Sequence, residues 1–240
     1  MKVTAIGRYG KYPNKDGATC CYLIESAQTK IVLDMGSASL KNLDKVIDYK
    51  HIDAVVVSHF HGDHCADAFV FRNVAFEFIK TGVWDTKLPF FMPKEPYNEF
   101  MALKSCEGFQ TIEISDGLKT AIKDIDLEFF KVNHPLPTYA VKVSSNEKSL
   151  SYTADIMDKE NLDRLFLGAD FAIVDACILE KNHKQGLPHI SVKEIAYITK
   201  DIPKVMLAHL EYGKEEETLQ EALSQNKKAF LAEELKTYHI

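Results

Sequence analysis

The chain is poor in the features that would mark a secreted, membrane-bound or nucleic-acid-coating protein. It has five cysteines, Cys20, Cys21, Cys65, Cys106 and Cys177, an odd and scattered set with no Cys-x-x-Cys pair. That excludes a disulfide scaffold and points to a reduced, cytoplasmic protein. No apolar run approaches the ~20 residues that a membrane span needs. Met1–Gly7 lacks the apolar core of a signal peptide. Positive charge is in deficit, with 29 Lys and Arg against 35 Asp and Glu, a formal net charge of −6. The basic footprint of a nucleic-acid binder is therefore missing, although a net charge does not exclude a local basic groove. There is no internal repeat, low-complexity tract or linker, so the 240 residues are expected to form a single domain, 1–240.

What is present is concentrated in one stretch. Ser58–Asp67 reads Ser-His-Phe-His-Gly-Asp-His-Cys-Ala-Asp, placing four possible metal ligands, His59, His61, Asp63 and His64, within six residues. The β-branched run Ala54–Val57 just before it fits a buried strand. In extended chain, i and i+2 point the same way, so His59 and His61 can converge on one ion while Phe60 faces elsewhere. Gly62 permits a sharp turn. Asp63 and His64 then open a helix and can reach a second ion. Three His and one Asp exceed what one catalytic ion with an open position uses, so two ions sharing the loop are the simplest reading.

The rest of the chain reads as strands, then helices, then strands and helices again. Strands are expected at Lys2–Gly7, Ala18–Glu25, Lys30–Asp34, Leu88–Met92, Phe109–Ile114, Lys119–Lys123 and Asp126–Val132. Others are expected at Tyr139–Ser144, Lys148–Thr153, Phe171–Ala176 and Lys204–Ala208. Helices are expected at Ser39–Tyr49, Asp63–Lys80, Glu95–Lys104, Asn161–Leu167, Ser191–Lys200 and Glu215–Leu235, with a break near Asn226. Arg8–Gly17 reads as an exposed loop, and His51 and His183 as solvated histidines. Lys181 and Lys184 are solvated too, unless they steer a phosphate. Asp34 either hydrogen-bonds the metal loop or caps a turn. Strand after strand ends in a metal-capable residue: His59, His134, Asp155 and His209. Two such halves suggest an α/β protein (α+β), a four-layer αββα sandwich of two mixed β-sheets flanked by helices.

These residues resemble the metallo-β-lactamase fold hydrolases over nearly the whole chain. The motif is His-x-His-x-Asp-His at His59, His61, Asp63 and His64, followed in the family's order by His134, Asp155 and His209. The resemblance implies one metal held by His59, His61 and His134, and a second held by Asp63, His64 and His209. Asp155 would bridge both, together with a water or hydroxide. An Asp at the bridging position argues against antibiotic hydrolysis, and His61 argues against the flavodiiron branch. Pro188-His189-Ile190-Ser191 is similar to the His-Leu/Met-Ser/Thr motif of the ribonuclease Z and phosphodiesterase branch. That match makes His189 a catalytic candidate and not a metal ligand; Asp63 is the second catalytic candidate. A capping box, Ser191 with Glu194, would fix the aim of His189. The interval from His134 to Asp155 holds only a hairpin, where ribonuclease Z carries its tRNA-grasping arm.

The expectation is a dinuclear metal-dependent phosphodiesterase that resembles ribonuclease Z without the arm. The metal-bridging hydroxide would be the nucleophile, and His189 would assist at the phosphate. Zinc is the favoured ion, with Mn²⁺ or Fe²⁺ as alternatives. The expected substrate is a small or short single-stranded phosphodiester, not tRNA. The aromatics of the helix after the motif offer a surface for a homodimer. Ester, lactone or thioester hydrolysis is the rival chemistry, and a metal-stabilised or nucleic-acid-binding protein without turnover is the rival class.

Overall fold

Short apolar strands buried on both faces need a layer on each side, and this chain supplies one twice. The computed structural model describes residues 1–240. β1 (Lys2–Gly7), β2 (Cys21–Glu25) and β3 (Lys30–Leu33) form an antiparallel meander. β4 (Ala54–Val56), β5 (Leu88–Met92) and β6 (Phe109–Glu113) extend it in parallel. Parallel neighbours require crossovers. These run through α1 (Ser39–Leu43), α2 (Gly62–Cys65), α3 (Ala68–Lys80) and α4 (Tyr97–Lys104).

The second sheet repeats the plan. β7 (Lys119–Ile122), β8 (Ile125–Val132), β9 (Thr138–Ser145) and β10 (Lys148–Tyr152) are antiparallel neighbours. β11 (Phe171–Asp175), β12 (Lys204–Ala208) and β13 (Ala229–Leu231) follow in parallel. Their crossovers use α5 (Leu162–Phe166), α6 (Val192–Ile198) and α7 (Glu215–Gln225). β14 (Thr237–His239) returns to the first sheet and pairs antiparallel with β1. The orders are β14-β1-β2-β3-β4-β5-β6 and β13-β12-β11-β10-β9-β8-β7. This is the αββα sandwich of two mixed sheets.

Three buried cores separate the four layers. Phe91 and Phe129 lie between the sheets, while their chain neighbours Phe90 and Phe130 face the outer helices of their respective sheets. The alternation is the period of two that a pleated strand imposes. Phe91 and Phe129 stack across the inter-sheet core at 5.8 Å between ring centroids.

Several boundaries differ from the sequence reading. The expected helix Asp63–Lys80 is two helices, because Asp67 turns inward to bond loop backbone. Its amide donates to Met35 O and its carboxylate accepts from Leu40 N. The buried face of α3 is Ala68, Phe71 and Ala75, whereas Val70 and Phe76 are exposed. The expected helix Ser39–Tyr49 shrinks to α1 and turns. Glu215–Leu235 is helical only to Gln225. Asn226 then donates its side-chain amide to Thr199 O, and the chain goes on into β13. The loop Arg8–Gly17 is not exposed throughout, since Tyr9 is buried and its hydroxyl donates to Glu215 Oε1 at 2.8 Å. Gly62 has no conformation or close neighbour that requires glycine.

Phe91→Ala should cost about 3–5 kcal/mol, the price of an aromatic cavity in a fully packed layer. Urea unfolding of the metal-free protein measures it. A loss below about 1 kcal/mol would mean that the sheets close over the gap.

Candidate metal centre

The strand ends of both sheets meet at one edge, and a buried carboxylate sets the geometry of the metal loop. Asp34, just past β3, accepts from Ser58 N at 2.7 Å, Ser58 Oγ at 2.9 Å, His64 Nδ1 at 2.7 Å and Tyr152 OH at 2.6 Å. It therefore bonds the metal loop, the first of the two readings. Gly36 lets that loop approach, because a Cβ there would lie 2.0 Å from Asp63 O.

Two groups of donors face each other across Asp155. In the first, His61 Nδ1 lies 3.1 Å from both His59 Nε2 and His134 Nε2. Asp155 Oδ2 lies 3.6 Å from His59 Nε2 and 3.8 Å from His134 Nε2. In the second, His209 Nε2 lies 2.9 Å from Asp63 Oδ2. Asp155 Oδ1 lies 3.1 Å from His64 Nε2 and 3.5 Å from His209 Nε2. One carboxylate thus presents a different oxygen to each group. Within each group all donor atoms lie within 4.8 Å of one another.

The outer ring nitrogens explain which atoms face inward. His134 Nδ1 donates to Pro188 O at 3.0 Å and His64 Nδ1 donates to Asp34, so their Nε2 lone pairs point at the cluster. Such outer hydrogen bonds set the tautomer of a metal-binding imidazole. His59 Nδ1 meets Ser58 Oγ at 3.0 Å.

The donor set fits divalent cations. His64 Nε2 and Asp155 Oδ1 are buried and have no hydrogen-bond partner. Buried polar atoms rarely stay unpaired. The 3.1 Å nitrogen spacings in the first group approach the roughly 3.3 Å edge of a tetrahedron with 2.0–2.1 Å zinc–nitrogen bonds. Burial holds His59 and His61 below the ordinary imidazole range and takes His134 down to about 4. Neutral imidazole is the form that ligates. At His64 and His209 burial opposes charge, but Asp155 foremost raises both in the cation-free protein. Burial alone would raise Asp63 and Asp155, yet the facing histidines hold both carboxyls low.

All seven residues that the motif singled out come together here. His189 is in neither of these two groups, although with Asp175 it shares a further cluster that includes Asp155 and His209. Its ring centroid lies 5.7 Å from that of His134 and 5.0 Å from that of His209. Its Nδ1 donates to Asp175 Oδ2 at 2.8 Å. Ser191 caps α6 by accepting from Glu194 N at 3.2 Å, and its own hydroxyl donates to Glu180. His51 is exposed, and His183 sits half-buried in the loop before His189. Lys181 pairs with Glu217.

Asp175 escaped the sequence reading. Burial would raise its carboxyl, but His189 and His209 hold it below the usual range. The signal was available: a lone Asp at the end of the apolar run Phe171–Ala176, the pattern that marked the other strand-end residues. Tyr152 and Ser58, the partners of Asp34, carried no such signal.

Fold and site together define a class: two sheets sharing a strand-end edge that carries a His/Asp cluster suited to divalent metals. The family described as "Beta-lactamase superfamily domain" matches residues 31–209, and the chain belongs to it. The chain is 28% identical over 214 residues to the probable metallo-hydrolase YhfI of Bacillus subtilis, covering 88% of this chain and 87% of that protein. The crystal structure of YhfI, a metallo-β-lactamase fold protein, superposes with a TM-score of 0.92 at 24% identity over 99% of this chain and 98% of that one. Human tRNase Z, short form, gives 0.79 at 16% identity, covering 100% and 99%. A diphosphatase of the PhnP family gives 0.78 at 16%, covering 100% and 97%.

Tyr152→Phe should destabilise the protein by about 1–3 kcal/mol, because it removes a buried donor from Asp34. Denaturant unfolding reads this directly. An unchanged midpoint would show that Asp34 is satisfied without it.

Proposed function

We propose that this metallo-hydrolase acts on phosphodiesters, small or short and single-stranded, with two zinc ions as its resident metals. The observation that carries the reading is the placement of His189. A buried imidazole stands against His134 of one ligand group and His209 of the other. Asp175 accepts a hydrogen bond from its Nδ1, which sets it apart from both ligand groups, so Nε2 is the nitrogen left for a substrate.

His59, His61 and His134 with Asp155 Oδ2 would hold one cation, and Asp63, His64 and His209 with Asp155 Oδ1 the other. When bound, the two cations supply Lewis acidity and bring the pKa of water down toward about 7. The protein's own groups supply the remainder. Asp63 accepts from Lys11 N on Oδ2, the oxygen that faces His209 Nε2, and its other oxygen is the one placed to take a proton from the attacking water. His189 gives a hydrogen bond or proton to the charge that develops on the phosphate and its leaving group. Asp175 keeps that ring in one tautomer and one orientation.

Phosphorus chemistry is what the names tRNase Z and diphosphatase have in common. Residues between His134 and Asp155 are taken up by β9, β10 and the tight turn at Asn146 and Glu147. No arm for grasping tRNA extends there, which favours shorter substrates at this site.

Zinc-reconstituted protein should hydrolyse bis-p-nitrophenyl phosphate in preference to p-nitrophenyl esters and thioesters; the reverse preference would favour ester or thioester chemistry. His189→Ala should lower kcat by about 10²–10⁴-fold while elemental analysis finds the metal content unchanged. Equal loss of metal and rate would make His189 a structural residue.

A further inference from the structure

We propose that the backbone turn Gly10–Lys11 is a clamp for the second cation position, so that disturbing it costs the protein one cation and not the other. The inference rests on the two-cation reading above. Two contacts carry it, and both fall on the second ligand group. The Lys11 amide donates to Asp63 Oδ2 at 2.6 Å. That is the oxygen 2.9 Å from His209 Nε2. Gly10 lies against the imidazole of His209 itself. A Cβ at Gly10 would stand 2.6 Å from Cε1 and 2.8 Å from both Nδ1 and Nε2 of that ring. The site therefore needs glycine for close approach, and Nε2 is the atom that would ligate.

The turn and His209 are built to move as one piece. Gly10 N donates to Leu210 O at 3.0 Å, and Leu210 N donates to Arg8 O at 2.9 Å. Between these bonds Tyr9 is pinned by Glu215. Lys11 and His209 both adopt left-handed backbone conformations, with φ of 66° and 54°. Residues other than glycine keep such conformations only where their surroundings impose them. Here the imposed geometry aims one amide N–H and one imidazole at the same carboxylate oxygen. A charge-assisted bond from a fixed amide restricts the rotation of Asp63, and the flat face of Gly10 restricts the tilt of His209. His59 and His134 are oriented by other partners, Ser58 Oγ and Pro188 O.

Zinc titration of the metal-free full-length protein, followed by calorimetry and checked by elemental analysis, tests this. The wild type should take up two equivalents. Gly10→Ala should keep one at wild-type affinity and bind the second about 10–100-fold more weakly, the usual cost of losing a group that orients a ligand. Lys11→Gly keeps the amide and relieves the backbone, so it should still bind two. In a His209→Ala background the clashing ring is gone, and adding Gly10→Ala should change neither the affinity of the remaining cation nor the metal-free melting temperature. Gly10→Ala binding both cations as tightly as wild type would overturn the clamp. So would loss of the second cation in Lys11→Gly, or further loss in the double variant. A wild type that binds fewer than two equivalents would overturn the two-cation reading, and the clamp with it.

Discussion

Asp155 is the constraint on which the rest of this structure turns. Its carboxylate is buried and faces four imidazole nitrogens at 3.1–3.8 Å. A buried carboxylate is costly unless positive charge and hydrogen bonds compensate it. Here the compensation comes from both sheets at once: His59 and His64 follow β4, while His134 and His209 follow β8 and β12. The packing of one sheet on the other is thereby tied to the chemistry at their shared edge. A shift of either sheet would separate the carboxylate from half of its partners.

The scaffold around that carboxylate is stiff where it must be. Strand residues hold their backbone through ladder hydrogen bonds, and the loops leaving them are short. The side chains at their ends inherit that order. A further ring of residues supplies orientation: Asp34 with Ser58 and Tyr152 behind His64, Pro188 O behind His134, and Asp175 behind His189. Each partner of a donor nitrogen decides which other nitrogen faces inward. The direction of the lone pairs is thus an outcome of packing several residues away from the clustered imidazoles.

Much of this architecture was legible in the residues. β1, β5 and β12 fall where their apolar runs begin and end, because a strand flanked by turn residues has little freedom to slide. The helices were less legible. Asp63–Lys80 has continuous apolar spacing, but Asp67 finds better partners in Met35 O, to which its amide donates, and Leu40 N, from which its carboxylate accepts, than in its own helix, and tertiary hydrogen bonds outweigh local propensity. β13 and β14 were missed for a related reason. Each has three residues, too few to show a period of two, and each becomes a strand only because an existing sheet edge pairs with it. Tyr9 lies in a stretch of turn residues and gave no sign of being buried until Glu215 came within reach of its hydroxyl.

The linear order of residues by itself determined the chemistry on offer: imidazoles and carboxylates at strand ends, a dense His-x-His-x-Asp-His loop, and a histidine placed before a capped helix. Local spacing suffices for that, since i and i+2 in extended chain share a face. Only the tertiary structure decided that Asp155 divides its two oxygens between two groups of imidazole and carboxylate donors, that Asp175 stands behind His189, and that Gly10 lies against His209. Those relations join residues far apart in the chain, and they exist only once two packed sheets have brought their strand ends to a common edge.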